Sequence, residues 1–139
     1  MNGFGVKPSL EIFDTGHLET ALYLIENGLI STPCNFSFIF NVRWGMPCHP
    51  ELLEFLKSRL PNKSRWGGLF IQSRDFKNHL KAAHAGATIL RTGFEDSFHF
   101  NGKTAGCNSE LVKALRYELE AEGFDIADTK EARAIVFRD

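Results

Sequence analysis

The sequence predicts an α/β protein of four βα units, which is half of a (β/α)8 TIM barrel, followed by a C-terminal helix. Short apolar runs alternate four times with helical apolar patterns, at about thirty residues per unit. The central runs lack a polar alternation, which is typical of parallel strands covered on both faces. A flavodoxin-like single sheet is the structural competitor.

Length and composition predict one domain over residues 1–139. Of the residues, 43% are hydrophobic and 12% aromatic, which is enough apolar material for a core. Sixteen basic and seventeen acidic residues give a formal charge of −1, without a basic run. We therefore expect no nucleic-acid partner.

The amino terminus, residues 1–8, lacks the charged and apolar regions of a signal peptide, and no apolar stretch reaches membrane-spanning length. We expect a cytoplasmic protein that does not contact a membrane. Cys34, Cys48 and Cys107 are an odd number without paired spacing, so three free thiols are predicted.

The first two units are marked by helical stripes and by proline and glycine. Residues 10–13 are β-prone, and a helix with an apolar stripe follows and ends at Gly28. Residues 36–42 form a β-branched and aromatic strand. The second helix has Pro50 in its first turn and Pro61 at its end.

The third unit has a strand at residues 66–72, a helix with Asp75 as N-cap, and a stop at Gly86. Residues 87–92 are predicted to form a buried fourth strand. Residues 97–106 are predicted to be a loop long enough to cover a site. Asn108 is predicted to cap a helix with a leucine stripe, and residues 129–136 to form a last amphipathic helix.

Four parallel strands cannot close into a cylinder, so two strand edges and an inner face would remain uncovered. The half-barrel prediction therefore implies a partner. That partner is either a second copy of this chain or a separate polypeptide that carries the other half.

The fourth strand ends in a cluster of charges: Arg91, Glu95 and Asp96. Such groups are costly to bury unless they pair, bind a metal or take part in chemistry. The carboxyl ends of strands are also where α/β proteins bind ligands. Two interpretations stay open, an active site and a purely structural ion pair.

The histidines and thiols are weaker candidates. His99 follows the carboxylates and could carry a proton, although a solvated loop histidine is the simpler interpretation. Cys48 and His49 are adjacent and could form a soft-metal pair. Cys107 precedes a helix, which would lower its thiol pKa, but no base stands at a matching spacing. We expect His79 and His84 to be surface or packing residues.

Three stretches together resemble the family of β-keto acid cleavage enzymes. They are residues 10–18 (LEIFDTGHL), 91–96 (RTGFED) and 105–112 (AGCNSELV). The resemblance extends over nearly the whole chain. It implies a zinc-dependent TIM barrel longer than this chain, of which these residues would be strands five to eight, the carboxyl-terminal half.

By resemblance, a β-keto acid and acetyl-CoA would exchange acyl groups to give acetoacetate and a new acyl-CoA. Glu95 would be a zinc ligand, and Asp96 the base that removes the proton between ketone and carboxylate. Arg91 would hold charge beside Asp96, and Glu11 matches another active-site carboxylate. The resemblance assigns no residues to CoA.

The sequence also departs from the family pattern. The family's His-x-His zinc pair belongs to the amino-terminal half, and no His-x-His occurs in this chain. Trp44 stands where many members have a glycine. We therefore expect cleavage activity only with an amino-terminal half from another chain. The alternative is a catalytically inactive half-barrel that self-associates as a homodimer.

Overall fold

The computed structural model describes residues 6–137 and confirms an α/β architecture with four parallel strands and five helices. The strands of the main sheet are β1 (Ser9–Ile12), β2 (Asn35–Phe40), β3 (Arg65–Phe70) and β4 (Ile89–Leu90). The helices are α1 (Thr15–Glu26), α2 (Pro50–Arg59), α3 (Lys77–His84), α4 (Asn108–Ala121) and α5 (Thr129–Phe137).

The strands lie in the order β1-β2-β3-β4, and each pairs in parallel with the next. Each helix from α1 to α3 therefore carries the chain back between neighbouring strands, as the βα rhythm predicts. All four carboxyl ends consequently lie at one edge of the sheet, where side chains that follow different strands can meet.

One face of the sheet packs on the helices. Phe36, Phe38 and Phe40 of β2 are fully buried in a core that also contains Leu18 of α1 and Leu56 of α2. The alternate residues of β2 point to the opposite face, because successive side chains of a strand alternate. A second core joins α3 to α4 through Phe76, Ala83, Ala105, Leu111, Leu115 and Leu119.

On the opposite face, small residues occupy the middle strands. Ser37 pairs with Glu11 on one side and Gly67 on the other, and Gly67 pairs with Ile89. A Cβ atom on Gly67 would come within 2.2 Å of the Ile89 carbonyl oxygen, so only glycine fits this approach of β3 to β4. The small residues leave space for long side chains from the outer strands.

The fourth strand is much shorter than predicted. Residues 87–92 were expected to form a buried strand, but β4 contains only Ile89 and Leu90, and both are half-buried. The physical reason is position: β4 is the last strand of the sheet, so only one of its edges has a ladder partner among the described strands.

The predicted loop at residues 97–106 contains a hairpin instead. Strands β5 (His99–Phe100) and β6 (Lys103–Thr104) pair in antiparallel fashion around Asn101 and Gly102, which have φ angles of 46° and 76°. Positive φ at both turn residues and the Asn-Gly dipeptide are typical of a two-residue hairpin turn. The Asn101-Gly102 dipeptide is therefore the local sequence signal for this hairpin.

Two predicted caps are also wrong. Helix α3 begins at Lys77 with Phe76 as the cap residue, while the Asp75 carboxylate accepts a hydrogen bond from the Lys77 amide at 3.1 Å. Helix α4 has Cys107 rather than Asn108 at its N-cap position. There the Glu110 carboxylate accepts from the Gly106 amide at 2.8 Å, so a side chain from the first turn satisfies that donor.

The cysteine prediction is confirmed, since all three thiols are free. Among residues 6–137, no helix is long and apolar enough to cross a bilayer. The prediction for the amino terminus lies mostly outside the described residues.

Candidate active site

The structure brings all four predicted site residues together at the carboxyl edge of the sheet. Arg91 follows β4, Glu95 and Asp96 lie in the turn after it, and Glu11 lies near the end of β1. The Arg91 guanidinium lies within 4 Å of a carboxylate oxygen of each of the three acidic residues. A contact between Glu11 of β1 and Arg91, the residue that follows β4, fits a sheet that curls toward this face.

Asp96 makes the tightest of these contacts. Arg91 Nε donates to Asp96 Oδ2 at 3.0 Å, and Arg91 Nη2 donates to Asp96 Oδ1 at 2.6 Å. The Asp96 side chain is only 3% exposed, so this is a bidentate, charge-assisted pair largely shielded from water. The hydrogen bond to Asp96 raises the pKa of Arg91 above its usual value, with smaller contributions from Glu95 and Glu11.

Glu95 and Glu11 are held more loosely. Glu95 Oε2 lies 3.3 Å from Arg91 Nη2 and Glu11 Oε1 lies 3.8 Å from Arg91 Nη1, and the two carboxylate side chains are 82% and 52% exposed. Three carboxylates thus face one guanidinium. The exposed side of the cluster carries an excess of negative charge, which favours the binding of a cation or the acceptance of a proton from a substrate.

Backbone contacts hold the turn that carries the carboxylates. The amides of Asp96 and Ser97 both donate to the Gly93 carbonyl at 2.9 Å. The Gln72 amide donates to the Asp96 carbonyl at 2.7 Å, and the Ser97 hydroxyl donates to the Ser73 carbonyl. The turn is therefore tied to the loop that follows β3, and Asp96 is held at both its main chain and its side chain.

Asn108 was predicted to cap α4, but its side chain contacts the turn that carries the carboxylates. Its Oδ1 atom accepts a hydrogen bond from the Phe94 amide at 2.7 Å, one residue before Glu95. A Cβ atom on Gly93 would lie 3.4 Å from the same oxygen. The first residue of α4 thus adds a second contact to this turn, besides the one from Gln72, and local sequence patterns cannot indicate it.

His79 was predicted to be a surface or packing residue, and the structure shows it packed and buried. Its imidazole is 3% exposed and lies between the rings of Phe70 and Phe76, with centroid distances of 4.5 and 5.3 Å. Nε2 lies 3.0 Å from the Arg91 carbonyl oxygen. Burial lowers the pKa of His79 to about 4, because the apolar surroundings disfavour the charged ring.

The loops after β2 and β3 contain unusual backbone. Asn41, Trp44 and Gln72 have φ angles of 65°, 69° and 54°, a region that residues other than glycine rarely adopt. Trp44 is 91% exposed, and the Arg43 guanidinium stacks 5.0 Å from its ring centroid. Such backbone is frequent at functional sites, and these three residues follow strands at the same edge as the charge cluster. Lys63, with a φ angle of 63°, precedes β3 and lies at the opposite edge.

The remaining candidates do not join the cluster through the contacts that the structure gives them. His99 Nδ1 lies 3.2 Å from Thr104 Oγ1, its neighbour across the hairpin. Cys48 is buried and His49 exposed, so the two side chains point to different environments. Cys107 is exposed, and hydrogen bonds from the Ser109 hydroxyl and then the helix backbone lower its thiol pKa.

The described residues do not fit a zinc ion by themselves. Within residues 6–137, no group of three or more His, Cys, Asp or Glu side chains could hold a metal. Both oxygens of Asp96 are occupied by Arg91, so Glu95 offers the most accessible carboxylate donor. Protein zinc sites use three or four ligands, so further ligands would have to come from other residues.

Comparison with known proteins shows the family. The profile of the beta-keto acid cleavage enzyme family matches residues 1–137. The chain is 32% identical over 133 residues to the 3-keto-5-aminohexanoate cleavage enzyme of Acetoanaerobium sticklandii, covering 95% of this chain and 48% of that enzyme. It is 29% identical to the 3-dehydrocarnitine:acetyl-CoA trimethylamine transferase of Rhizobium meliloti, over 96% and 44% of the two chains.

A third relative extends the same pattern. The 3-oxoadipate:acetyl-CoA acetyltransferase of Cupriavidus necator is 27% identical over 98% of this chain and 49% of its own length. The chain therefore spans about half the length of the curated relatives that it matches. Because the family profile covers almost the entire sequence and the motif residues meet in space, this chain belongs to the beta-keto acid cleavage enzyme family.

Proposed function

We propose that this chain supplies part of the active site of an enzyme that cleaves a β-keto acid with acetyl-CoA, giving acetoacetate and a new acyl-CoA. One observation carries the proposal. Arg91 gathers Glu11, Glu95 and Asp96 at the carboxyl edge of a parallel sheet, in a chain whose relatives are named as keto-acid cleavage enzymes or acetyl-CoA transferases.

In this proposal Asp96 is the general base. It takes a proton from the carbon between the ketone and the carboxylate of the substrate, and the negative charge passes to the enolate. Arg91 holds Asp96 in place with two hydrogen bonds and keeps positive charge beside the reacting groups. Asp96 is 3% exposed, so the substrate would have to displace part of the Arg91 contact, from the side where Glu11 and Glu95 are exposed, to reach this carboxylate.

Zinc dependence is part of the same proposal. Glu95 would give one carboxylate ligand, because it is the most exposed acid of the cluster. The remaining ligands, a pair of histidines, would come from an amino-terminal half-barrel on another chain. Acetyl-CoA would be the co-substrate, in keeping with the names of the relatives.

The edge of the sheet supports an arrangement in which this chain is half of a barrel. Beside β4 lies an open groove of about 690 Å³, lined by apolar residues of β4, α4 and the segment that leads to α5, among them Ile89, Leu90, Val112, Leu115 and Ile126. An open strand edge next to an apolar groove offers both hydrogen bonds and hydrophobic area to a further strand and its helix.

A homodimer without transferase activity is the second candidate, because two copies could pair the same edges. The charges disfavour it. In such a dimer the two charge clusters would lie at the same end of the barrel and place six carboxylates near two guanidiniums. Like charges in a partly buried site repel. A metal ion and its ligand histidines would relieve that excess, which favours the complementing half.

The decisive experiment mixes this chain with the amino-terminal half of the Acetoanaerobium sticklandii relative. We expect zinc to be retained by the mixture and acetoacetate to form only with acetyl-CoA present. Glu95→Gln should lower the zinc content. Asp96→Asn should leave zinc in place and lower kcat by about 10²- to 10⁴-fold, the usual contribution of a general base.

Glu19→Gln is the matched control, because Glu19 of α1 also pairs with an arginine, Arg59, at 2.9 Å, and neither residue belongs to the charge cluster or the groove lining. It should change neither zinc content nor rate. If the mixture takes up no zinc and forms no acetoacetate, the catalytic proposal is wrong. A stable dimer of the chain alone in sedimentation, together with that negative result, would favour the homodimer.

A surface variant tests the proposed interface. Val112 lines the groove and is exposed, so Val112→Ser should change the free energy of unfolding of the isolated chain by less than about 0.5 kcal/mol. The same change should weaken association with the complementing half in a titration. Tyr117→Ser on the same helix, at an exposed residue outside the groove lining, is the control and should leave association unchanged.

A further inference from the structure

We propose that His79 is a positioning residue for Arg91: its neutral imidazole donates a hydrogen bond from Nε2 to the Arg91 carbonyl and so sets the direction in which the guanidinium leaves the strand. The inference deepens the proposed function, on which its enzymatic readout rests. Its structural readout stands on the chain alone.

The need for such a residue follows from the end of β4. The regular ladder stops at Leu90, and the next amide, that of Arg91, reaches the Gly68 carbonyl at 3.2 Å. No further strand lies beyond β4 among the described residues to hold its other side. His79 supplies a second restraint at this point, because its Nε2 lies 3.0 Å from the carbonyl oxygen of the same residue.

The geometry also assigns the tautomer. A carbonyl oxygen can only accept, so Nε2 must carry the proton. Nδ1 is then an unprotonated acceptor, and it is buried without a hydrogen-bond partner among the described atoms. A doubly protonated ring would bury a second N–H with nothing to receive it, which is costly.

The packing around the ring keeps it in one orientation. Phe70 at the end of β3 and Phe76 before α3 meet the imidazole edge to face, with interplanar angles of 64° and 83°. The charged groups whose fields act on the ring are Asp96 and Asp75, and both favour protonation, but desolvation outweighs them. Burial therefore makes His79 a fixed donor rather than a proton carrier.

His79 and Asp96 thereby act on opposite ends of Arg91. The main-chain carbonyl of Arg91 is held by His79, while the guanidinium is held by Asp96, whose own carbonyl accepts from the Gln72 amide. Loss of the imidazole donor would leave the Arg91 carbonyl without this hydrogen bond. The main chain at Arg91 would then move more, and the guanidinium would sample positions away from Asp96.

The test uses nitrogen NMR of the full chain and three variants. In the wild type, the ring nitrogens of His79 should show the neutral Nε2–H tautomer between pH 5.5 and 8, a range above its pKa of about 4. His79→Leu removes the donor and keeps an apolar side chain. His79→Gln keeps an N–H donor at a similar reach. His84→Leu changes an exposed histidine of the same helix and is the control.

The readout is exchange of the Arg91 Nε proton with water, which reports how tightly the guanidinium stays on Asp96. We expect His79→Leu to speed this exchange roughly fivefold to tenfold, the factor for loss of one hydrogen bond. His79→Gln should restore most of the protection, and His84→Leu should leave it unchanged. Equal exchange in the wild type and His79→Leu would overturn the inference, as would an Nδ1–H tautomer or a charged ring.

A second arm separates this inference from the proposed function. In the complemented, zinc-loaded enzyme, His79→Leu should lower kcat about tenfold with KM nearly unchanged, because the guanidinium acts on the reacting groups. His79→Gln should recover most of the rate. If the wild-type mixture is inactive while the exchange result holds, the proposed function fails and the positioning role stands. If the wild type is active and both His79 variants match it, the positioning role fails.

Discussion

The centre of the sheet and its fourth strand are built by different physical means. Strands β2 and β3 pair over six residues each, and the side chains that face the helices are fully buried. Strand β4 pairs over two residues, is half-buried and borders an open groove. Yet the charge cluster lies at the end of β4. Hydrophobic burial thus orders the scaffold, while polar contacts order the site.

The contrast explains why the site needs so many side-chain contacts. A central strand is held by two ladders and two packed faces, so its end is fixed without further help. The end of β4 has one short ladder. His79 and Asn108 each add a hydrogen bond to the segment from Arg91 to Ser97, and Asp96 ties the two ends of that segment together through Arg91.

Substitutions in the central sheet should reduce stability most. Phe36→Ala should lower the free energy of unfolding by about 4 kcal/mol, because it leaves a cavity among fully buried rings. Leu90→Ala on β4 should cost less than half of that, since Leu90 is already half exposed. Urea denaturation followed by circular dichroism measures both. Equal losses would contradict the difference drawn between the two regions.

A pH titration tests the polar side of the comparison. The folded-state pKa of His79, about 4, lies below its ordinary value of 6.5, so the unfolded state binds more protons between those values. The contribution of His79 to the free energy of unfolding is therefore fully present above pH 6.5. It falls as the pH drops toward 4, by about 3 kcal/mol at most.

Carboxylates also titrate in acid, so the informative quantity is the difference between the wild type and His79→Gln. The free energy of unfolding should fall less steeply in the variant between pH 6.5 and 4.5. Parallel curves would show that the imidazole is protonated in the folded state at little cost. His84→Gln serves as the exposed control and should follow the wild type.

Double-mutant cycles compare the two carboxylate contacts of Arg91. A double-mutant cycle of Arg91→Ala with Asp96→Ala should give a coupling energy of about 2 kcal/mol, as expected for a shielded bidentate pair. The cycle with Glu95→Ala should give less than about 0.5 kcal/mol, because that carboxylate is exposed. Similar coupling energies for the two cycles would mean that the Asp96 and Glu95 contacts are equally exposed to water.

Sequence reasoning identified the cluster but not its supports. Arg91, Glu95 and Asp96 are close in sequence and end an apolar run, so a local pattern could find them, and the family motif added Glu11. His79 and Asn108 escaped because their partners lie 12 and 14 residues away along the chain. Asn108 was misleading for a physical reason, since the same side chain that caps helices can hold a distant amide.

Local sequence patterns predicted the alternation of strands and helices, the parallel direction of the strands and the place of the charged residues at a strand end. Those features follow from local periodicity and from the short range of βα connections. Long-range contacts make β4 a short edge strand, bury Asp96 while Glu95 stays exposed, and place a buried imidazole against Arg91. Burial and pairing depend on which distant segments meet, and no local pattern carries that information.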